Sequence, residues 1–154
     1  MVSYKDTPSS EIKTKLGIIP SFIKIDKSDQ NIDWKTVDSF SSEWEKFDSF
    51  SEDEIAQIGN DYFDILPEEK LQNSIVLDMG CGSGRWSKYL VDKVKFIEAV
   101  DPSNSVISAQ NMLIDHKNTR ITQASVENLP FEEKSFDMVI SLGVLHHIPD
   151  TKTA

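Results

Sequence analysis

Short apolar segments alternate with amphipathic segments through the second half of the 154-residue chain. Apolar runs bounded by turn residues predict strands at residues 75–79, 94–101, 118–124 and 135–143. Helical patterns follow at residues 84–93 and 103–116, and residues 147–154 predict the start of a further helix. Strands that alternate with helices are typical of a parallel sheet with crossover helices on its faces. The pattern therefore predicts an α/β fold.

The first half of the chain has a different pattern. The first thirty residues predict an irregular arm with room for a short extended segment, because Pro20 interrupts the one apolar piece, at residues 16–25. From Asp33 to Phe50, apolar residues recur at steps of three and four, which predicts one amphipathic helix or two short ones. Ser51 and Glu54 have the spacing of a capping box, so a second helix is expected to begin there.

The stretch "VLDMGCGSGRW" places a glycine-rich turn between the first strand and its helix. Such a turn lies at the carboxyl edge of the sheet, where open α/β folds bind ligands. The dinucleotide-binding fingerprint is G-x-G-x-x-G, whereas Gly80, Gly82 and Gly84 read G-x-G-x-G. Asp78 stands two residues before the first glycine, and its carboxylate would repel a pyrophosphate but attract a cation. The turn therefore favours a positively charged ligand.

Composition narrows the classes of partner. The chain has 16 Lys and Arg against 26 Asp and Glu, a net charge of −10 that disfavours nucleic acid and anionic membranes. No apolar run is long enough to span a bilayer, and no secretory signal is visible. A single cysteine, Cys81, supplies neither an internal disulfide nor a thiolate cluster for a metal. We therefore predict a cytoplasmic protein with a small-molecule partner and no metal.

Several motifs in order resemble those of the class I S-adenosylmethionine-dependent methyltransferases. "VLDMGCGSGRWS" is similar to the first motif and "IEAVDPS" to the second-strand motif. "ASVENLPFEEKSFDMVISLGVLHHIPD" resembles the third and fourth strands of small-molecule methyltransferases with LPF and VLHH signatures. The resemblance implies a Rossmann-like, doubly wound, mostly parallel sheet with its first four strands in the order 3-2-1-4, preceded by N-terminal helices.

The resemblance also implies S-adenosylmethionine as cofactor and methyl transfer to an O, N or C nucleophile of a small-molecule acceptor. Asp101 is expected to bind both ribose hydroxyls, although in isolation it is also a typical turn residue. Asp78 either supplies countercharge to the cofactor or caps the turn, and Cys81 fills the turn. Ser125 stands where relatives usually carry an acid. The expected cofactor-binding residues are Asp78, Gly80, Cys81, Gly82, Asp101, Pro102, Ser125, Val126, Glu127 and Ser141.

Two further features bear on catalysis. His146 and His147 follow the fourth strand, and His146 is a weak candidate for the general base that deprotonates the acceptor. The competing interpretation is that the pair packs against or caps the next helix. The aromatic face of the first predicted helix either docks that helix on the core or forms a lid over the cofactor. Its residues are Trp34, Phe40, Trp44 and Phe47.

These features divide the chain into two parts. Residues 1–70 are predicted to form an N-terminal arm with helices that dock or form a lid, and residues 71–154 the S-adenosylmethionine-binding half of a methyltransferase domain. The fourth strand would be a bare edge, so we expect either a C-terminally incomplete enzyme or a homodimer that covers the edge. The alternatives are a non-catalytic, methyltransferase-like partner module and, less favoured, an NAD-dependent oxidoreductase.

Overall fold

A computed structural model of the chain describes residues 2–24, 32–35, 37, 39 and 51–152. The strands are β1 (Ser10–Thr14), β2 (Gly17–Ser21), β3 (Ile75–Met79), β4 (Phe96–Asp101), β5 (Thr119–Gln123) and β6 (Met138–Ile140). The helices are α1 (Glu52–Phe63), α2 (Glu68–Leu71), α3 (Arg85–Leu90) and α4 (Val106–Met112), with 3-10 turns at Val126–Asn128 and Leu145–His147. In these described residues, no helix is long and apolar enough to cross a membrane.

The strands form one mostly parallel sheet in the order β1-β2-β5-β4-β3-β6. Its parallel part, β5-β4-β3-β6, has the predicted order 3-2-1-4, so the predicted fold class is confirmed. Val76 of β3 pairs with Ile97 of β4, which in turn pairs with Thr119 of β5. Because parallel strands all end at one edge, the loops after β3, β4 and β6 meet there.

The N-terminal arm is more regular than the sequence predicts: the short extended segment is β2, and it pairs with β1 in an antiparallel hairpin. Gly17, with φ of 137°, follows the two-residue turn that joins the strands. Pro20 is tolerated inside β2 because this strand pairs with β5 only at Ser21, opposite Gln123. The hairpin therefore extends the sheet beyond β5 and becomes its edge.

Helix α1 begins as the capping-box pattern predicts. The Glu54 N–H donates to the Ser51 hydroxyl, and the Glu54 carboxylate accepts from the Ser51 N–H. Of the helix predicted over residues 33–50, the described residues Trp34, Lys35, Val37 and Ser39 are helical. The other residues of that prediction, including Phe40, Trp44 and Phe47, lie outside the described residues.

Alternation along the strands gives the sheet two apolar faces. Val76 and Ile97 face a cluster built with α1, α3 and α4, whereas Leu77 and Val100 face a second cluster. Residues near the N-terminus, such as Tyr4, pack on that second cluster. Strand geometry thus turns Asp78 and Val76 to the same face, the one that α3 covers.

A buried ion pair lies on the second face. Glu98 is fully buried, and the Arg120 guanidinium donates to it from Nε at 2.8 Å, with Nη2 at 2.7 Å from the same oxygen. Thr122 donates to the other Glu98 oxygen, and the Tyr4 ring lies 3.9 Å from the Arg120 guanidinium. Tyr4 also hydrogen-bonds Thr122, so this network fixes the N-terminal segment on the sheet.

The helix predicted over residues 147–154 does not form in its described part, which extends to Lys152. A 3-10 turn, Leu145–His147, ends at Ile148, whose ψ of 122° is extended. The cause is Pro149, because a proline disfavours helical geometry in the residue before it.

Candidate functional site

The glycine turn after β3 is held against the ends of β4 and β6. Gly80, Gly82 and Gly84 have φ values of 79°, 53° and 87°, a region that glycine adopts at little cost. The N–H groups of Gly80 and Cys81 both donate to the Val100 carbonyl, at 2.7 and 3.0 Å. These two hydrogen bonds therefore attach the turn to the carboxyl edge of the sheet.

Asp101, the last residue of β4, faces this turn. Its Oδ2 accepts from the Gly82 N–H at 2.9 Å, and its Oδ1 accepts from the N–H and hydroxyl of Ser103 at 2.8 and 2.6 Å. The side chain is nearly buried and lines a pocket at this edge of the sheet. A carboxylate offers about four acceptor sites, so this one keeps capacity for a further donor, such as a ligand hydroxyl.

Asp78 is fully buried beneath α3, where the Ser87 hydroxyl donates to its Oδ2 at 2.7 Å. Burial raises the pKa of Asp78 to about 6, the Ser87 hydrogen bond opposes that shift, and the charge of Asp101 adds to it. The carboxyl thus lies behind the glycine turn, close enough to Asp101 for their charges to interact.

The pocket lies at the carboxyl edge, between the glycine turn, the end of β4, the loop after β6 and the segment around residue 33. The lining residues are Asp33, Val37, Gly80, Cys81, Gly82, Arg85, Trp86, Asp101, Pro102, Ser103, Ser105, Leu142, Gly143, Val144 and His147. The structure thus brings together half of the predicted cofactor-binding residues, namely Gly80, Cys81, Gly82, Asp101 and Pro102.

The other predicted residues are not part of this wall. Asp78 lies behind it, and Ser125 is buried at the start of a 3-10 turn. Val126 and Glu127 border a separate depression with Leu129. The last predicted residue, Ser141, directly precedes the lining loop, and its hydroxyl is enclosed by protein.

The two adjacent histidines, which lie in the 3-10 turn, have different environments. His147 lines the pocket, while the adjacent His146 is exposed and outside the lining. Their ring centroids are 3.8 Å apart. Burial and then the neighbouring His146 lower the pKa of His147, and the charge of Asp33 opposes that shift. A neutral imidazole at the pocket wall is suited to accepting a proton.

Sequence reasoning missed much of the wall because distant segments supply it. Asp33 and Val37 come from the segment for which a lid was one of two interpretations, although neither was a predicted site residue, and Leu142 and Val144 come from the loop after β6. A signal did exist for Arg85 and Trp86, which directly follow the glycine turn. The first residues of a helix after such a turn point toward a ligand at the strand ends.

Cys81 is a buried free cysteine inside the turn. Burial, and then the charges of Asp101 and Asp78, raise the pKa of its thiol. A protonated thiol is a poor nucleophile, so Cys81 fills space in the turn rather than attacking a ligand. Over the described part of the chain, no group of three or more His, Cys, Asp or Glu side chains could hold a metal ion.

Comparisons with known proteins agree with this geometry. A family model described as a methyltransferase domain matches residues 77–154, half of the chain. The tRNA U34 carboxymethyltransferase of Nautilia profundicola is 34% identical over 93 residues, which covers 58% of this chain and 31% of that protein. An uncharacterized methyltransferase of Mycobacterium bovis is 32% identical over 84 residues, which covers 54% of this chain and 43% of that protein.

A solved structure is also similar. Phosphoethanolamine N-methyltransferase 1 of Haemonchus contortus, in complex with phosphoethanolamine and S-adenosylhomocysteine, is 25% identical with a TM-score of 0.54. That match covers 68% of this chain and 24% of the other. The matched segments span less than half the length of all three relatives.

Proposed function

The chain belongs to the S-adenosylmethionine-dependent methyltransferases, with S-adenosylmethionine as cofactor, and from this premise we propose that it methylates an O, N or C nucleophile of a small-molecule acceptor. One observation carries the proposal. The fold brings the glycine turn and the Asp101 carboxylate together at one pocket, where the Gly82 N–H donates to Asp101 Oδ2 at 2.9 Å. This arrangement suits a ligand with ribose hydroxyls and a compact charged tail.

The residues present fit the cofactor. Asp101 keeps acceptor capacity for a ribose hydroxyl, and its bonds to Ser103 hold the carboxylate in place. The glycine turn would lie along the methionyl end, with Asp78 behind it as a source of negative potential. Ser125, Val126, Glu127 and Ser141 remain proposed cofactor contacts, with Ser125 and the Val126 N–H at the adenine ring.

The proposed division of labour follows the two parts of the chain. Residues 71–154 would form the cofactor-binding half, and residues 1–70 would cover it. Support comes from Asp33 and Val37, which line the pocket opposite elements of the second half. With Leu142 and Val144, the Val37 side chain gives the pocket apolar walls that would exclude water and align the reactants.

Bound S-adenosylmethionine supplies an activated methyl group on its sulfonium, so the protein needs no covalent nucleophile. What the chain must supply is a place for the acceptor's proton. We assign that role to His147 in preference to His146, because His147 lines the pocket and its lowered pKa favours the neutral imidazole. Asp33 would stabilise the imidazolium that forms, since its charge favours protonated His147.

The acceptor class rests on charge and on pocket chemistry. The net charge of −10 disfavours a polyanionic acceptor such as tRNA, even though several relatives are named tRNA U34 carboxymethyltransferase. The phosphoethanolamine bound to the Haemonchus contortus enzyme is an example of the proposed small-molecule class. We keep the cytoplasm as the proposed compartment, and a homodimer through the β6 edge, where Val139 is 60% exposed, as the proposed assembly.

The test is methyl transfer from labelled S-adenosylmethionine to two separate acceptor pools, total tRNA and a small-molecule extract. We expect label in the small-molecule pool, a steep loss with His147→Asn, and little change with the matched substitution His146→Asn. Label in tRNA would contradict the acceptor class, and loss with His146→Asn alone would move the base to that residue. A chain that binds the cofactor but labels neither pool would support a binding module instead.

A further inference from the structure

Strand β1 is an outer edge of the sheet. In the part of the chain that the structure describes, β1 pairs with β2 alone and lies at the opposite end of the sheet from β6. Ser10, Glu11 and Lys13 are all exposed, which agrees with an edge that is open to solvent. Such an edge presents backbone N–H and C=O groups that can accept another strand. We therefore consider which strand would fit β1.

The alternation of hydrogen bonds decides which residues of β1 present their backbone groups at this edge. Phe22, directly after β2, donates its N–H to a β5 carbonyl, on the side away from β1. Because backbone groups alternate along a strand, Ile19 and the other odd-numbered residues of β2 face β1. Ile12 lies opposite Ile19, so its backbone groups point to β2. The N–H and C=O groups of its neighbours, Glu11 and Lys13, therefore point outward at the open edge.

The sequence of β1, SEIKT, is complementary in charge to its own antiparallel copy. An antiparallel pair centred on Ile12 places Glu11 opposite Lys13 of the partner subunit, and Lys13 opposite Glu11 of the partner subunit. These are the hydrogen-bonded pairs of that register, because their backbone groups point outward. A lysine at an edge blocks pairing where it meets its own charge, but here it meets a carboxylate, which stabilises the ladder. The strand that fits β1 is therefore a second β1.

We propose that β1 is an interface between two copies of this chain, which pair their β1 strands antiparallel about a two-fold axis at Ile12. The pairing joins two six-stranded sheets into one continuous sheet. It is separate from the association through β6 proposed above, because β1 and β6 are opposite edges of the sheet. Association through one edge neither requires nor prevents association through the other. The inference is also independent of the proposed methyl transfer, because β1 contributes no residue to the pocket.

The experiment is sedimentation equilibrium at about 0.15 M salt, which screens the long-range repulsion between copies of net charge −10. We expect reversible self-association of the wild-type protein. Glu11→Lys and Lys13→Glu should each weaken it at least about 10-fold, because each makes both cross-strand charge pairs repulsive. Lys15→Glu is the matched control for net charge. It should leave the association unchanged, because Lys15 would lie opposite the uncharged Ser9 of the partner subunit.

The two single variants also test each other. An equimolar mixture of Glu11→Lys and Lys13→Glu should associate like wild type, because a strand with two lysines then meets a strand with two glutamates. The double variant E11K/K13E should also self-associate like wild type, because it only exchanges the two charges. No self-association of wild type, association unchanged by both single variants, or a mixture no tighter than either variant alone would each overturn the β1 interface.

Cross-linking tests the register. Ile12 forms a non-hydrogen-bonded pair with its own copy, in which the Cα atoms are about 4.5 Å apart, within reach of a disulfide. Ile12→Cys should therefore form a disulfide-linked dimer with oxidised glutathione, whereas Lys15→Cys, three residues from the axis, should not. Cys81 is the single native cysteine and is buried, so the introduced thiol is the one that reacts. Equal rates of cross-linking for the two variants would overturn the register.

Discussion

The contact between Gly80 and Val144 predicts a large cost for adding one methyl group. A Cβ on Gly80 would lie 2.3 Å from Val144 Cγ2, 2.8 Å from its Cγ1 and 3.1 Å from its Cβ. Valine is branched at Cβ and cannot swing these atoms away together. The φ of 79° at Gly80 adds about 1–2 kcal/mol for any residue with a Cβ, and overpacking adds about 1–3 kcal/mol. Gly80→Ala should therefore cost about 2–5 kcal/mol of unfolding free energy.

Gly143→Ala is the matched control, because Gly143 has a φ of 73° but nothing within 4 Å of an added Cβ. It should cost only the backbone part, about 1–2 kcal/mol. Val144→Ala in the Gly80→Ala background should recover the overpacking part. Urea denaturation of the wild type and these three variants measures all of these differences. A Gly80→Ala cost no larger than that of Gly143→Ala would refute the close packing of the glycine turn against the loop after β6.

Two further predictions concern buried charges. Because the pKa of Asp78 is raised to about 6, the folded state favours its protonated form. The contribution of Asp78 to the unfolding free energy is therefore fully present below about pH 4 and is lost as the pH rises through 6. The unfolding free energy of Asp78→Asn, relative to that of wild type, should therefore rise by about 2–3 kcal/mol between pH 4 and pH 7.5 in denaturation experiments. A difference that does not change with pH would contradict the burial of this charge. Arg120→Met leaves Glu98 buried without its partner and should cost about 3–5 kcal/mol in the same assay. The double variant E98Q/R120M should lose less unfolding free energy than Arg120→Met alone. An equal or larger loss in the double variant would contradict the ion pair's role.

The sequence predicted those features that depend on local pattern. Apolar runs and helical spacing define β3 to β6, the spacing of Ser51 and Glu54 defines a cap, and glycine spacing defines the turn. Each of these signals lies within a few residues. The order of the parallel strands came from the resemblance of the motifs, and the structure agrees with it.

What the sequence missed depends on contacts between distant segments or on rotation about the chain. The hairpin was missed because Pro20 interrupts its apolar run, and its attachment to the sheet could not be foreseen because that pairing joins Ser21 to Gln123, about a hundred residues away. Sequence patterns could not show which of two adjacent histidines faces the pocket, since the 3-10 turn decides it. Strand alternation alone could have placed Asp78 behind the pocket. Asp78 and Val76 lie on the same face of the sheet, and helix α3 covers that face.

The central claim is that the glycine turn and Asp101 form the seat of S-adenosylmethionine. Its most direct test is calorimetric titration of S-adenosylhomocysteine into wild-type protein and Asp101→Asn, with the denaturation midpoints of both measured in parallel. We predict saturable one-site binding to wild type and at least about 10-fold weaker binding to a folded Asp101→Asn variant, which loses a charged acceptor. No saturable binding to folded wild type, or equal binding by the two proteins, would contradict the claim.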